Sequence, residues 1–186
     1  MAAPPPEHLY QQLLHVCRFL ERRRIPYMVI GGVAVGVWSA PRATIDLDFV
    51  IGVTGEALAA FAQSAAEVGF VVFDPKPVEF SKMTLLRMQL KEPDARLLTL
   101  DFMLANDDYK RAALDRAVSI PLLEQEVRIA APEDVILLKL LGGRGQDMVD
   151  AENIVRVQRD TLDRSYLRQW AGRLALTDAL DKLLAD

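Results

Sequence analysis

Apolar residues at Leu9, Leu13, Val16 and Leu20 recur at the spacing of one helix face, which predicts a helix from about Pro6 to Arg24. Arg22-Arg23-Arg24 closes it, where cations suit the carbonyl end of the helix. The pattern then changes to short apolar runs divided by glycine, proline and polar clusters. It predicts strand Tyr27–Ile30, helix Val33–Ser39, strand Leu47–Ile51, helix Gly55–Val68 and strand Phe70–Phe73. A proline-containing loop follows, then strands Met83–Leu90 and Arg96–Leu104 across a turn at Glu92-Pro93-Asp94. The alternation Thr84, Leu86, Met88, Leu90 and that turn argue for an antiparallel hairpin. Helix Asn106–Arg116 and short strand Val127–Ala130 come next. After Pro132 the period is helical throughout: Pro132–Leu141, Met148–Arg159, Asp163–Arg173 and Leu174–Leu184. The expected class is α+β. A mixed sheet flanked by helices occupies residues 1–130, and a helical region over 131–186 packs on it.

Composition narrows this only slightly. The chain has 186 residues, enough for one good core or a core with a helical appendage, and 51% hydrophobic with 26% charged residues is ordinary for a folded domain. A net charge of −4 gives no global field for nucleic acid, so a nucleic-acid substrate would need a local basic face. The single Cys17 excludes an internal disulfide and fits a reducing cytoplasm; its apolar helical neighbours predict a buried thiol. The N-terminal Met-Ala-Ala-Pro-Pro-Pro-Glu lacks the basic and apolar parts of a signal peptide, and no apolar run is long enough for a membrane span.

The chemistry concentrates in two neighbouring segments. Gly31-Gly32 follows a strand and precedes a helix, so the backbone can turn tightly there and offer N–H groups to an anion. Asp46 and Asp48 are two apart in an apolar strand and so project from the same side of the sheet. Two like charges about 4 Å apart repel by roughly 4 kcal/mol at an effective dielectric near 20, so such a pair invites a cation. Asp101, alone in the apolar run Leu98–Leu104, could complete the set, or could be a strand-end cap. An EF-hand is excluded, because Ile51 and Ala57 stand where its glycine and final acid belong. No Gly-Lys-Ser/Thr follows either glycine cluster, so neither is a Walker motif, and Gly143-Arg144-Gly145 reads as a helix C-cap.

Together these residues resemble the nucleotidyltransferase superfamily with the DNA polymerase β palm, and in particular its small AbiEii-toxin-like, or DUF6036-type, bacterial members. The resemblance rests on Gly31-Gly32-Val33-Ala34, Arg42-Ala43-Thr44, Asp46-Leu47-Asp48-Phe49 and Leu100-Asp101-Phe102. It extends through Ala131-Pro132-Glu133-Asp134 to Lys139, Arg144, Asp147 and Asp150, roughly residues 8–158. It implies a triphosphate at Gly31 and Gly32, Mg²⁺ (two ions) at Asp46 and Asp48, and Asp101 completing the site near the acceptor hydroxyl. Lys139 is implied to face phosphate. Many members have serine where this chain has Gly32, so the phosphate donors here would be backbone N–H groups.

The expected reaction is attack of an acceptor hydroxyl on the α-phosphate of an NTP, with release of pyrophosphate. Arg42 and Thr44, just upstream of the acidic pair, are candidates for holding the NTP, and for Arg42 a structural ion pair fits equally. Asp147 and Asp150 share a helix face and read by default as an exposed acidic stripe, with a role in the site as the alternative. Trp38 and Trp170 read as core, and His8 and His15 as non-catalytic. Three functions remain open. The first is an Mg²⁺-dependent nucleotidyltransferase acting on tRNA, as the toxin of a cytoplasmic toxin–antitoxin pair with an antitoxin protein as partner. The second is adenylylation of a small molecule such as an aminoglycoside or lincosamide. The third is a nucleotide- or partner-binding pseudoenzyme.

Overall fold

The computed structural model describes residues 7–41, 43–71, 78–80, 83–91 and 97–185, with the backbone alone at 78–80 and 83. Helix α1 (Glu7–Arg22) leads into β1 (Tyr27–Val29), helix α2 (Gly31–Trp38) and β2 (Leu47–Ile51). A single 3-10 turn, Gly55–Ala57, precedes α3 (Leu58–Ala66). Strands β3 (Phe70–Val71), β4 (Val78–Phe80), β5 (Met83–Lys91) and β6 (Leu97–Leu104) follow, then α4 (Asp108–Arg116). Strands β7 (Val118–Leu122) and β8 (Gln125–Ile129) form a hairpin, and four helices end the chain: α5 (Pro132–Gly142), α6 (Gly145–Gln158), α7 (Arg164–Leu174) and α8 (Thr177–Ala185).

The strands make one mixed sheet in the order β3-β5-β6-β2-β1-β8-β7, with β4 paired to β5. At its centre β2 runs parallel to β6 and antiparallel to β1, while β1 runs parallel to β8. This is the α+β architecture that the sequence pattern predicts. Two strands escaped that pattern, β4 and β7. Strand β7 contains Pro121, which argues against a central strand; the sheet accommodates it at an edge, where a missing N–H breaks no ladder. Helix Gly55–Val68 divides into the 3-10 turn and a shorter α3. The turn at Glu92-Pro93-Asp94 and residues 72–77 and 81–82 of the expected proline-containing loop lie outside the described residues, while β4 stands in the part between.

The sheet's two faces have different tasks, because neighbouring residues on a strand point opposite ways. On one face Phe49 of β2 stacks on Phe102 of β6 with ring centres 5.3 Å apart, and Phe61 of α3 meets Phe102 edge-on at 5.4 Å. Phe19 of α1 closes this layer against Phe61 and Phe70. The opposite face carries Asp48 and Asp101, with α2 packed against β2. Helix α5 is buried along most of its length: Ile136 and Leu137 are fully inaccessible and join the same apolar cluster as the sheet. That explains why its sequence shows almost no polar face. Trp170 is core as expected, and Trp38 is half-buried with its indole N–H donating to the Ala130 carbonyl at 2.8 Å. Cys17 is fully buried, and that burial pushes its thiol up to about 12.

Candidate active site

The register of β2 and β6 sets Asp48 directly beside Asp101, and in a parallel pair such neighbours project to the same face. Apolar flanks place both: Leu47, Phe49, Leu100 and Phe102 are all fully buried, which fixes the phase of each strand and leaves the aspartates on the opposite side. Asp46 precedes the first residue of β2 and lies in a bend rather than in the strand expected for it. Its charge nevertheless reaches Asp48. Among the described residues no group of three or more acidic, His or Cys side chains is set closely enough to hold a metal ion by itself.

The glycine turn packs against this pair. Ile30 donates its N–H to the Asp48 carbonyl at 2.9 Å, tying the end of β1 to the start of β2. Gly31 has φ +63°, in the left-handed region that favours glycine, and opens α2. A Cβ at Gly31 would fall 1.9 Å from Asp48 Oδ2, an overlap no side chain survives. Glycine is required at 31 by backbone conformation and by the closeness of the carboxylate alike. Gly32 is buried in the first turn of α2.

Asp48 is half-buried, and its carboxyl is pushed up to about 6. Burial is the main cause, followed by the charges of Asp101 and Asp46; Lys139 and Arg144 oppose the rise. The three aspartates and two cations therefore share one electrostatic neighbourhood. Thr44 donates its hydroxyl to the Asp46 carbonyl at 3.3 Å and so shapes the bend. Arg42 lies outside the described residues.

Two features of the site were not legible from composition or spacing. Arg87, on β5, stands opposite Asp101 in the antiparallel register and grips both its oxygens, Nε to Oδ1 and Nη2 to Oδ2, each at 2.7 Å. The charge and hydrogen bonds of Asp101 raise the Arg87 guanidinium above its ordinary value, and Asp46 and Asp48 add to that pull. The pairing of 87 with 101 follows only once the register of β5 on β6 is known. Two positions along β5, Gln89 Oε1 is buried without a hydrogen-bond partner among the described residues.

The second is a buried ion network. Lys139, 8% exposed, donates to Asp147 Oδ1 at 2.9 Å and pairs with Asp150 Oδ2 at 2.8 Å. Arg144 reaches Asp147 Oδ2 at 2.7 Å, and Gln146 donates to Asp150 Oδ1 at 3.0 Å. Asp147 and Asp150 are 2% and 1% exposed, so the exposed acidic stripe expected for them is wrong. Helix α6 starts sooner than its apolar pattern suggested and turns this face onto α5. Burial pushes the Asp147 carboxyl up, but hydrogen bonds from Arg144 and Lys139 outweigh that and hold it below the usual range. A Cβ at Gly142 would meet Asp147 Oδ2 at 2.6 Å, so the end of α5 must be bare for this carboxylate to fit.

A dense anionic pair, a bare glycine turn against it and cations on both flanks suit a bound divalent ion with phosphate. Mg²⁺ usually takes only one or two carboxylates and completes its shell with phosphate oxygens and water. Asp48, Asp101 and the neighbouring Asp46 fit that chemistry without forming a closed all-protein cage.

No protein-family model and no curated protein sequence matches the chain. Solved structures do. An antigenic nucleotidyltransferase-like protein from Paracoccidioides brasiliensis is 19% identical, with TM-score 0.58 over 98% of this chain and 95% of its own. The antibiotic-resistance factor ANT(2'')-Ia is 14% identical, with TM-score 0.57 over 94% of this chain and 97% of its own. The lincomycin-bound lincosamide antibiotic adenylyltransferase LnuA is 16% identical, with TM-score 0.52 over 83% of this chain and 99% of its own. Identities this low speak for architecture alone, and the architecture is consistent across all three: this chain has the nucleotidyltransferase fold.

Proposed function

We propose that the protein transfers a nucleoside monophosphate from an NTP to an acceptor hydroxyl. The observation that carries this reading is the contact of Gly31 with Asp48, beside Asp101 on the next strand. It brings a backbone able to receive phosphate against carboxylates able to hold a metal ion.

In this reading the N–H groups at Gly31 and Gly32, at the start of α2, receive the triphosphate, and Thr44 and Arg42 keep the NTP-holding role that the sequence assigns them. Asp46, Asp48 and Asp101 would hold Mg²⁺, two ions at full loading, which would neutralise charge on the attacking and leaving oxygens. Asp101, on the strand farther from the glycine turn, accepts the proton of the acceptor hydroxyl as its oxygen attacks the α-phosphorus. The bond to the bridging oxygen breaks and pyrophosphate leaves with that electron pair. Because the chemistry makes and breaks bonds to phosphate oxygens, positioning and charge neutralisation supply most of the rate. Lys139 supports the site through its attraction to Asp48 and its bonds to Asp147 and Asp150; the phosphate-facing role that the resemblance implies for it is part of this proposal.

For the acceptor we place tRNA first, with the protein as the cytoplasmic toxin of a toxin–antitoxin pair. Its support is the sequence resemblance and the exposed side chains of Arg87 and Arg144, 61% and 69% accessible, beside the carboxylates. A phosphate-bearing acceptor suits that rim. No helix among the described residues is long and apolar enough to cross a membrane. A small-molecule acceptor is the second reading, favoured by the fold shared with the lincosamide antibiotic adenylyltransferase LnuA and the antibiotic-resistance factor ANT(2'')-Ia.

The test is pyrophosphate release from each NTP with Mg²⁺, offered total tRNA or a panel of aminoglycosides and lincosamides, for wild type and Asp48→Asn. Release with tRNA, lost in the variant, supports the first reading; release with a drug alone supports the second. Nucleotide binding with no release under any condition leaves a pseudoenzyme.

A further inference from the structure

Arg87 occupies the place where Asp101 would meet a cation. Its fork takes both carboxylate oxygens at 2.7 Å, the bidentate geometry in which an arginine–carboxylate pair is strongest. The two partners differ in exposure. Asp101 is 13% accessible and locked into the centre of the sheet, whereas Arg87 is 61% accessible and reaches it from the solvent side. The carboxylate is fixed and the guanidinium is replaceable, because an exposed arginine head can return to water with little loss. Asp46 and Asp48 also attract Arg87, so its guanidinium offsets part of the repulsion within the acidic group.

We propose that Arg87 is the resident counter-cation of Asp101, holding the carboxylate in place in the free protein and yielding it when a divalent ion binds. The inference rests on the metal-binding reading of Asp46, Asp48 and Asp101. A doubly charged ion at these oxygens and a guanidinium on the same carboxylate repel each other, so the two compete for Asp101. Arg87 is thus a positioning residue. It offsets the repulsion that pushes the third carboxylate away from its neighbours, at the expense of metal affinity in the absence of substrate.

The experiment titrates Mn²⁺ alone into the full chain, reading free Mn²⁺ by electron paramagnetic resonance, for wild type, R87Q, R87K and D48N. The expected result is binding about threefold to tenfold tighter in R87Q, the size of a screened charge interaction at this range. R87K, which keeps the charge but loses the fork, falls between the two. Unchanged or weaker Mn²⁺ binding in R87Q overturns the inference, as does a lowered melting temperature with unaltered Mn²⁺ affinity, the signature of a purely structural ion pair. Should R87Q fail to fold, R87K decides by the same criterion. If wild type binds no Mn²⁺, or D48N binds it as well as wild type, the metal reading itself fails, an outcome distinct from a metal site indifferent to Arg87.

Discussion

Gly31 and Asp48 touch so closely that even one methyl group on the glycine would lie 1.9 Å from the carboxylate oxygen. Gly31→Ala must move Asp48 or unwind the start of α2, and it also forces alanine to φ +63°. The backbone strain alone is on the order of 1–3 kcal/mol. We expect loss of that stability in urea titrations together with loss of nucleotidyl transfer. Gly55→Ala is the control: nothing lies within 4 Å of its Cβ, and the change should leave both properties nearly untouched.

Asp48 predicts a pH dependence of defined sign. Its folded-state value, about 6, lies above the ordinary 3.8, so the folded protein holds this proton more tightly than the unfolded chain. The group therefore favours the native state most in acid, and that advantage is lost as pH rises through about 6. Asp48→Asn should raise the melting temperature of the metal-free protein at pH 8, by about 1 kcal/mol equivalent after allowance for solvent screening, and the gain should vanish near pH 4. Divalent binding has the opposite trend: Mn²⁺ affinity should fall as pH drops below about 6, where a proton competes for the same oxygens.

Lys139 compensates two carboxylates that are almost fully buried. Lys139→Met leaves both facing an apolar side chain, with only Arg144 and Gln146 as partners among the contacts described above. Removing one partner from a buried ion pair costs about 3–5 kcal/mol, so this substitution should be the most destabilising of the set in chemical denaturation. The companion Asp150→Asn should cost distinctly less, since it removes one charge and retains a polar contact.

Tyr166 donates its hydroxyl to Asp134 Oδ1 at 2.8 Å, and Asp134 is completely buried at the start of α5. Arg116 reaches the same carboxylate at 3.4 Å and lies over the Tyr166 ring at 3.7 Å. Tyr166→Phe keeps the ring and removes the donor. The expected cost is about 1–3 kcal/mol in unfolding free energy, with no change in Mn²⁺ affinity, because this cluster docks α7 rather than serving the acidic face.

The elements built on strong local periodicity were legible before any coordinates. The bounds of β2 agree to the residue; of Gly143-Arg144-Gly145, read together as a helix C-cap, Gly143 caps α5 in the left-handed conformation, while Arg144 is the N-cap of α6 and Gly145 opens it. The pairing of Asp48 with Asp101 could be suspected from their isolation in apolar runs, but its register depends on contacts distant in sequence. Arg87 was hidden for the same reason: on its own strand it is merely the polar alternate of Leu86 and Met88. Asp147 and Asp150 misled because charge at helical spacing signals solvent unless a buried partner exists, and Lys139 lies on a different helix. Edge strand β7 was missed because a proline disfavours strands everywhere except where the sheet stops.

The hydrogen bond from the Ile30 N–H to the Asp48 carbonyl has a mechanical consequence. It rivets the glycine elbow to the strand beside it, so anion cradle and first carboxylate travel as one stiff unit. Under the proposed function, adjustment on ligand binding falls to the other walls, the strands β5 and β6 carrying Arg87 and Asp101 and the α5–α6 corner carrying Arg144, with the glycine elbow as the fixed reference.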